Sequence, residues 1–220
     1  MGKSIKGTKI NLNKLIQEEN NMNWMQKDVQ TSAQMEIAWQ CAPLLTGVKP
    51  SNILTLKNVS EKEVAESLKE MGISYSMLCD GGVRKVWLIY REEEILEILG
   101  KKEYSEFLDT LGYRGFEFPQ MLQIMNLRFE GYQHGSAEFP HELGIFLGYP
   151  LADVKGFIEH NGKDFLYQGY WKVYENVEER KKMFSIYNVV KEEFIREMQA
   201  GKDLWHAARS VRQPFDIQPA

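Results

Sequence analysis

Two residues of this 220-residue sequence, Cys41 and His141, could act together in chemistry. Cys41 lies two residues before Pro43, and a thiol held at a helix break could face a cleft where a nearby imidazole favours the thiolate. His141 directly follows Pro140, which predicts a place in the first turn of a short helix. The positive end of that helix would lower the pKa of the imidazole and keep it neutral. Such a pair could serve covalent catalysis or bind a soft metal or a haem-type ligand.

Both residues also have a purely structural interpretation. Cys41 follows Val29, Ala33 and Ile37 at intervals of four, which is the apolar stripe of an amphipathic helix and favours a buried, inert thiol. His141 could simply stand at a capped helix start. In that case the protein is a binding or regulatory module without catalysis.

Five further residues complete the candidate site. Lys49 and Glu142 are expected as polar neighbours of the Cys41–His141 pair, and Tyr149, Tyr170 and Trp171 as the lining of an apolar pocket. The ligand is an unidentified small molecule or a protein partner, and the cofactor is unknown. No metal site is predicted.

A β-α-β-β unit from residue 53 to residue 90 is the clearest structural prediction. Ser60 and Glu63 form a capping box that opens a helix between two β-prone stretches. Asp80-Gly81-Gly82 separates the last two strands and predicts a hairpin, because glycine accepts a positive φ without steric cost. We expect an α+β fold with a small mixed or antiparallel sheet packed against several helices.

Later in the chain, residues 165–174 are aromatic and β-prone, and predict one strand or two short strands broken at Gly169. Strand alternation puts Trp171 and Val173 on the side opposite Tyr170, and Trp171 is expected to be buried. Pro43 is expected to end or bend the helix that carries Cys41.

The expected organisation is a polar N-terminal arm over residues 1–27, with a short helix near residues 12–19. A single α+β domain follows over 28–200, then a short helix and tail over 201–220. Net charge is −4 with a pI near 5.7, which argues against a nucleic-acid partner. The sequence shows no apolar leader and no run long enough for a membrane span. We therefore expect a soluble cytoplasmic protein without a membrane partner.

Three blocks of the sequence resemble a bacterial family known as domain of unknown function 3793. The longest runs from Phe139 to Val154 and contains His141, and the others are residues 41–50 and 169–174. Members of this family often carry a cysteine where this chain has Gln168 or a neighbour, which argues against a second cysteine completing a metal or redox site. The resemblance implies no particular activity, substrate or cofactor.

Overall fold

The computed structural model describes residues 33–211, so the predicted N-terminal arm and its helix near residues 12–19 lie outside the described residues. The elements in chain order are α1 (Ala33–Leu45), β1 (Ser51–Lys57), α2 (Glu61–Leu68), β2 (Ser74–Gly81), β3 (Arg84–Tyr90), α3 (Glu92–Gly100), α4 (Lys102–Thr110), α5 (Phe118–Gln133), α6 (Leu143–Phe146), α7 (Leu151–Glu159), β4 (Tyr167–Gln168), β5 (Lys172–Val173), α8 (Val177–Gln199) and α9 (Leu204–Ser210).

The β-α-β-β unit is confirmed, and with it the α+β fold. Its three strands are ordered β1-β3-β2, and β3 is antiparallel to both neighbours. Helix α2 begins with the predicted capping box, in which Ser60 and Glu63 satisfy each other's backbone N–H groups. The hairpin between β2 and β3 turns through Gly82, whose φ is 74°.

Helix α1 differs from the prediction at Pro43. The proline lies in the last turn, and the helix continues past it to Leu45. Gly47, with a φ of 84°, follows the helix and allows the turn into β1. Near a helix end the missing N–H of proline removes a single intrahelical bond, so the helix tolerates it.

Each face of the three-stranded sheet is covered by its own buried cluster. The cluster on one face, the α1 cluster, combines residues of α1, α2, α8 and α9 with Leu54, Leu56, Trp87 and Ile89 of the sheet. The cluster on the other face, the α5 cluster, combines residues of α3 to α7 with Ile53, Leu78, Val86, Leu88 and Tyr90 of the sheet. Side chains alternate along a strand, so neighbouring residues of β1 and β3 contribute to opposite clusters.

A third, smaller cluster lies around the β4–β5 ribbon. The aromatic stretch forms two short antiparallel strands on either side of Gly169, which confirms the second of the two predicted forms. Trp171 is only 6% exposed and Val173 is fully buried, whereas Tyr170 is partly exposed, as the alternation predicts. Both buried residues belong to this cluster with Phe184 and Tyr187 of α8, and the indole of Trp171 meets the Phe184 ring edge to face.

At the C-terminal end, α9 packs on the same core as the rest of the fold. Leu204, Ala207 and Val211 are buried in the α1 cluster. The domain boundaries at residues 27 and 200 stay a prediction. Among residues 33–211, every helix is too short or too polar to cross a lipid bilayer.

Candidate functional site

An apolar pocket lies between the α6–α7 segment, β1 and the β4–β5 ribbon. Its volume is about 90 Å³, and aromatic and aliphatic side chains dominate its walls. The lining residues are Ile53, Phe139, His141, Leu143, Gly144, Leu147, Tyr149, Asp153, Val154, Phe157, Tyr170, Trp171 and Lys172. Four predicted site residues therefore come together here: His141, Tyr149, Tyr170 and Trp171.

Close backbone packing at two glycines shapes the segment that carries the pocket. A Cβ atom on Gly144 would lie 2.8 Å from a methyl carbon of Val154, so glycine lets α6 approach α7 closely. Gly148 follows α6 with a φ of 72°, and a Cβ atom there would lie 2.4 Å from the ring of Pro50. The turn between α6 and α7 thus depends on two positions that tolerate no side chain.

Asp153 fixes the ribbon wall of the pocket. Its carboxylate is 2% exposed and accepts a hydrogen bond of 2.7 Å from the indole Nε1–H of Trp171. It also accepts hydrogen bonds from the backbone N–H groups of Tyr174 (2.7 Å) and Glu175 (3.2 Å), and the guanidinium Nε of Arg180 lies 3.7 Å away. These partners compensate the buried charge and hold the indole in one orientation.

Stacked rings form much of the pocket wall. The ring of Tyr149 stacks on the indole of Trp171, with centroids 4.6 Å apart and planes 25° apart. On the other side, the imidazole of His141 lies between Phe139 and Phe157, 5.4 Å from each ring centroid. Such walls favour a flat, apolar group that can pack against ring faces and edges.

His141 is the polar side chain of this pocket whose hydrogen bonding is incomplete. Its Nδ1 atom is buried and has no hydrogen-bond partner among the described residues. Burial lowers the pKa of the imidazole, although the carboxylates of Glu142 and Glu138 oppose this shift. The neutral form is therefore favoured, and Nδ1 is a buried polar atom whose hydrogen-bonding capacity is unused among the described residues.

The cause of this lowered pKa differs from the sequence-based expectation. His141 precedes the four-residue helix α6 instead of opening it, because His141 and Glu142 lie in a turn that ends at Leu143. Desolvation, and not a helix end, accounts for the direction of the shift.

Lys172 lines the pocket with its ammonium group engaged elsewhere. The Nζ atom donates a hydrogen bond of 2.8 Å to the carbonyl of Gly162. It also lies 5.7 Å from the ring centroid of Phe157 and 5.0 Å from that of Phe165. Cation–π contacts of this kind hold the charge against the aromatic rim.

Glu142 belongs to a network that does not line the pocket. Its buried carboxylate accepts hydrogen bonds from the hydroxyl of Tyr113 (3.1 Å) and the guanidinium of Arg128. Burial, and then the negative charge of Glu142, raise the pKa of Tyr113. The network connects the turn before α6 to α5, so it orients the backbone that carries His141.

The structure places Cys41 in the α1 cluster, on the sheet face opposite the pocket. Its side chain is fully buried, and the amide Nδ2 of Asn52 lies 3.9 Å from its sulfur. Ile53, the next residue of β1, lines the pocket that contains His141. The strand therefore stands between the two residues, and the structure does not bring them together. A functional Cys41–His141 pair stays a prediction.

Lys49 lies between these two regions. Its Nζ atom donates a hydrogen bond of 2.6 Å to Oδ1 of Asn52 and lies 5.6 Å from the ring centroid of Tyr149. The side chain is 2% exposed, so Lys49 supports Tyr149 from behind the pocket wall and does not line the pocket.

The comparison with protein families gives one match. The sequence model of the family described as protein of unknown function (DUF3793) matches residues 37–206, which is most of the chain. The chain belongs to the DUF3793 family. No curated protein and no solved structure matches it.

Several pocket residues of this DUF3793 protein were not among the site residues predicted from the sequence. Asp153, Val154 and Phe157 face the pocket from α7, and Lys172 faces it from β5. A signal existed for Asp153, because it is the acidic residue in the first turn of α7 and lies between the apolar residues Leu151 and Val154. Among residues 33–211, no three His, Cys, Asp or Glu side chains gather closely enough to hold a metal ion.

Proposed function

We propose that this DUF3793 protein is a binding module whose pocket holds a compact, mainly apolar ring. The observation that carries the proposal is an apolar pocket walled by Phe139, Phe157, Tyr149 and Trp171, with His141 among its lining residues. Concave, mostly apolar sites with few polar groups are the usual form of small-molecule sites.

The pocket volume sets the size of the ligand. An engineered apolar cavity of ~150 Å³ binds one benzene ring. An open pocket of about 90 Å³ is smaller than that cavity, so a single six-membered ring would fill it and protrude at the mouth.

Binding without catalysis is the better-supported role for this site. The Asp153 carboxylate is occupied by the indole of Trp171, two backbone N–H groups and Arg180. Lys172 donates to a backbone carbonyl. Among the described pocket residues, the two charged side chains are therefore engaged with other groups and are not available to His141 as partners in general acid–base catalysis.

The proposal includes a cytoplasmic location and no nucleic-acid or membrane partner. It is supported by the acidic net charge of −4 and by two cysteines that are both thiols.

Titration with toluene tests the proposal. Toluene is a single apolar ring, and its binding is measured by ligand-observed NMR in sealed tubes. A Phe157→Trp variant adds volume to the pocket wall and is expected to weaken binding at least about tenfold. The matched Phe116→Trp variant, at a 41% exposed phenylalanine that does not line the pocket, is expected to bind like the wild type.

Thermal unfolding of both variants verifies that they are folded. The proposal fails if the wild-type protein does not bind toluene, or if both variants bind it equally well.

A further inference from the structure

We infer that the natural ligand of this pocket is an aromatic carboxylate, whose ring fills the pocket and whose carboxylate pairs with the ammonium group of Lys172 at the mouth. This inference rests on the proposed function and adds the chemical class of the ligand. It follows from the position of the one lysine among the lining residues and from the N–H groups that this lysine leaves unused.

Lys172 holds its ammonium group at the mouth of the pocket. The Nζ atom lies 5.7 Å from the ring centroid of Phe157, which lines the pocket. It lies 5.0 Å from the ring centroid of Phe165, which is 37% exposed and does not line the pocket. The positive charge is therefore placed between a residue of the pocket wall and a residue of the protein surface, on a side chain that is itself partly exposed.

The ammonium group keeps hydrogen-bonding capacity for a ligand. Among residues 33–211, its contacts are one hydrogen bond of 2.8 Å to the carbonyl of Gly162 and the two phenylalanine rings. An ammonium group has three N–H donors, so two of them have no acceptor in this part of the chain. The bond to Gly162 fixes the group in place, and a carboxylate is an acceptor that forms strong hydrogen bonds with it.

The carboxylate of Asp153, which also lines the pocket, does not reverse this preference for an anion. It is 2% exposed and is held by the indole of Trp171 and by two backbone N–H groups. The guanidinium of Arg180 lies 3.7 Å away and compensates its charge. The contacts of Lys172 include no carboxylate, so its charge is the one that a ligand can neutralise.

The small volume of the pocket keeps the ligand's carboxylate outside the apolar walls. A single ring fills a pocket of about 90 Å³, so a group attached to that ring protrudes at the mouth. There the carboxylate stays partly hydrated and avoids the high cost of burying a charge among apolar side chains.

Comparison of phenylacetate with phenylacetamide, by the same ligand-observed NMR titration, tests the inference directly. The two compounds have nearly the same shape and differ in charge. Apolar burial alone predicts equal affinities or a preference for the neutral amide, because the carboxylate is more costly to dehydrate. Pairing with Lys172 predicts about fivefold tighter binding of phenylacetate at neutral pH and low salt, a modest factor because the pair is partly exposed. High salt should reduce this preference without affecting toluene in the same way.

Three variants identify the partner group. Lys172→Met keeps an apolar stem and removes the charge, so it should abolish the preference for phenylacetate while toluene still binds. Lys172→Arg keeps the charge and should retain most of the preference. Lys62→Met removes the same charge from an exposed residue of α2 outside the pocket and should leave the preference unchanged.

The possible failures separate the two proposals. If toluene binds, then equal affinities of the wild type for phenylacetate and phenylacetamide, or a preference that persists at high salt or in Lys172→Met, would overturn the carboxylate inference and leave the binding pocket standing. Tighter binding of the cation benzylamine than of phenylacetate would also overturn it, and would make Asp153 the dominant charge. If neither toluene nor phenylacetate binds, the proposed function itself is refuted.

Discussion

The two faces of the three-stranded sheet differ in their packing, because one is fully covered by side chains and the other borders a pocket. On one face, Cys41 and Leu54 are fully buried in the α1 cluster, where the neighbouring amide of Asn52 has protein partners. On the other face, Ile53 and His141 line an apolar pocket with open volume.

The comparison shows that a chemically reactive residue does not by itself mark a binding site. A thiol is the more reactive group, but burial in a packed cluster shields it from ligands. The imidazole is less conspicuous, yet it lines the wall of a pocket with volume for a ring. A concave apolar wall with open volume is therefore the better guide to function here.

Leucine truncation on the two faces should give the largest contrast. Leu54→Ala leaves a cavity inside the α1 cluster and is expected to lower the free energy of unfolding by about 3 to 5 kcal/mol. Leu147→Ala enlarges a pocket that already exists, so its cost should be near the low end, about 2 kcal/mol. Urea unfolding of both variants measures the difference. Equal losses would mean that the pocket side is packed as tightly as the α1 cluster.

Thiol labelling tests the same contrast at the cysteines. Cys41 is fully buried and should react with iodoacetamide on the timescale of unfolding, about a hundredfold or more slowly than Cys79. Cys79 is partly exposed, although burial and the nearby carboxylates of Glu130 and Asp80 raise its pKa and slow its reaction by lowering the thiolate fraction. Peptide mapping after labelling near neutral pH measures both rates.

The result also decides the alternative thiol function. A His141→Ala variant should label at Cys41 as slowly as the wild type. Preferential labelling of Cys41 in the native protein, lost in His141→Ala, would instead establish the functional pair.

A smaller effect is expected from the pH dependence of stability. Burial lowers the pKa of His141 in the folded state, so the unfolded chain takes up a proton first as the pH falls. The resulting loss of stability begins near the unfolded value of about 6.5 and is complete once the pH is below the folded pKa. Glu142 and Glu138 partly oppose the shift, and Asp153 and Lys172 also line the pocket.

The measurement compares wild-type protein with His141→Phe, which cannot take up the proton. Denaturant unfolding from about pH 7.5 to about pH 5.5 should show a greater loss of stability in the wild type. A parallel pH dependence in the two proteins would mean that the imidazole is solvated and not buried.

Local features of the fold could be predicted from the sequence, because each depends on a few neighbouring residues. The capping box involves only Ser60 and Glu63, three residues apart. Gly82 determines only the turn in which it lies. The burial of Trp171, which lies just before β5, was predicted from strand alternation together with the large apolar surface of the indole.

The composition of the pocket required long-range pairing that local patterns do not encode. The indole of Trp171 is held by Asp153, eighteen residues earlier, and Glu142 is held by Arg128 and Tyr113. The sequence-based site joined Cys41 to His141, because nothing local shows on which face of β1 each would lie. That assignment depends on the sheet order and on how α1 and α6 pack against it.

Mapping the toluene site by backbone amide NMR tests the central claim most directly. In proton–nitrogen correlation spectra of the full chain, the account predicts saturable shifts at Gly144, Val154 and Phe157, which line the pocket, with little change at Ala38 and Cys41 in the α1 cluster. Shifts centred on Ala38 and Cys41, or no saturable shift at any of these residues, would contradict it.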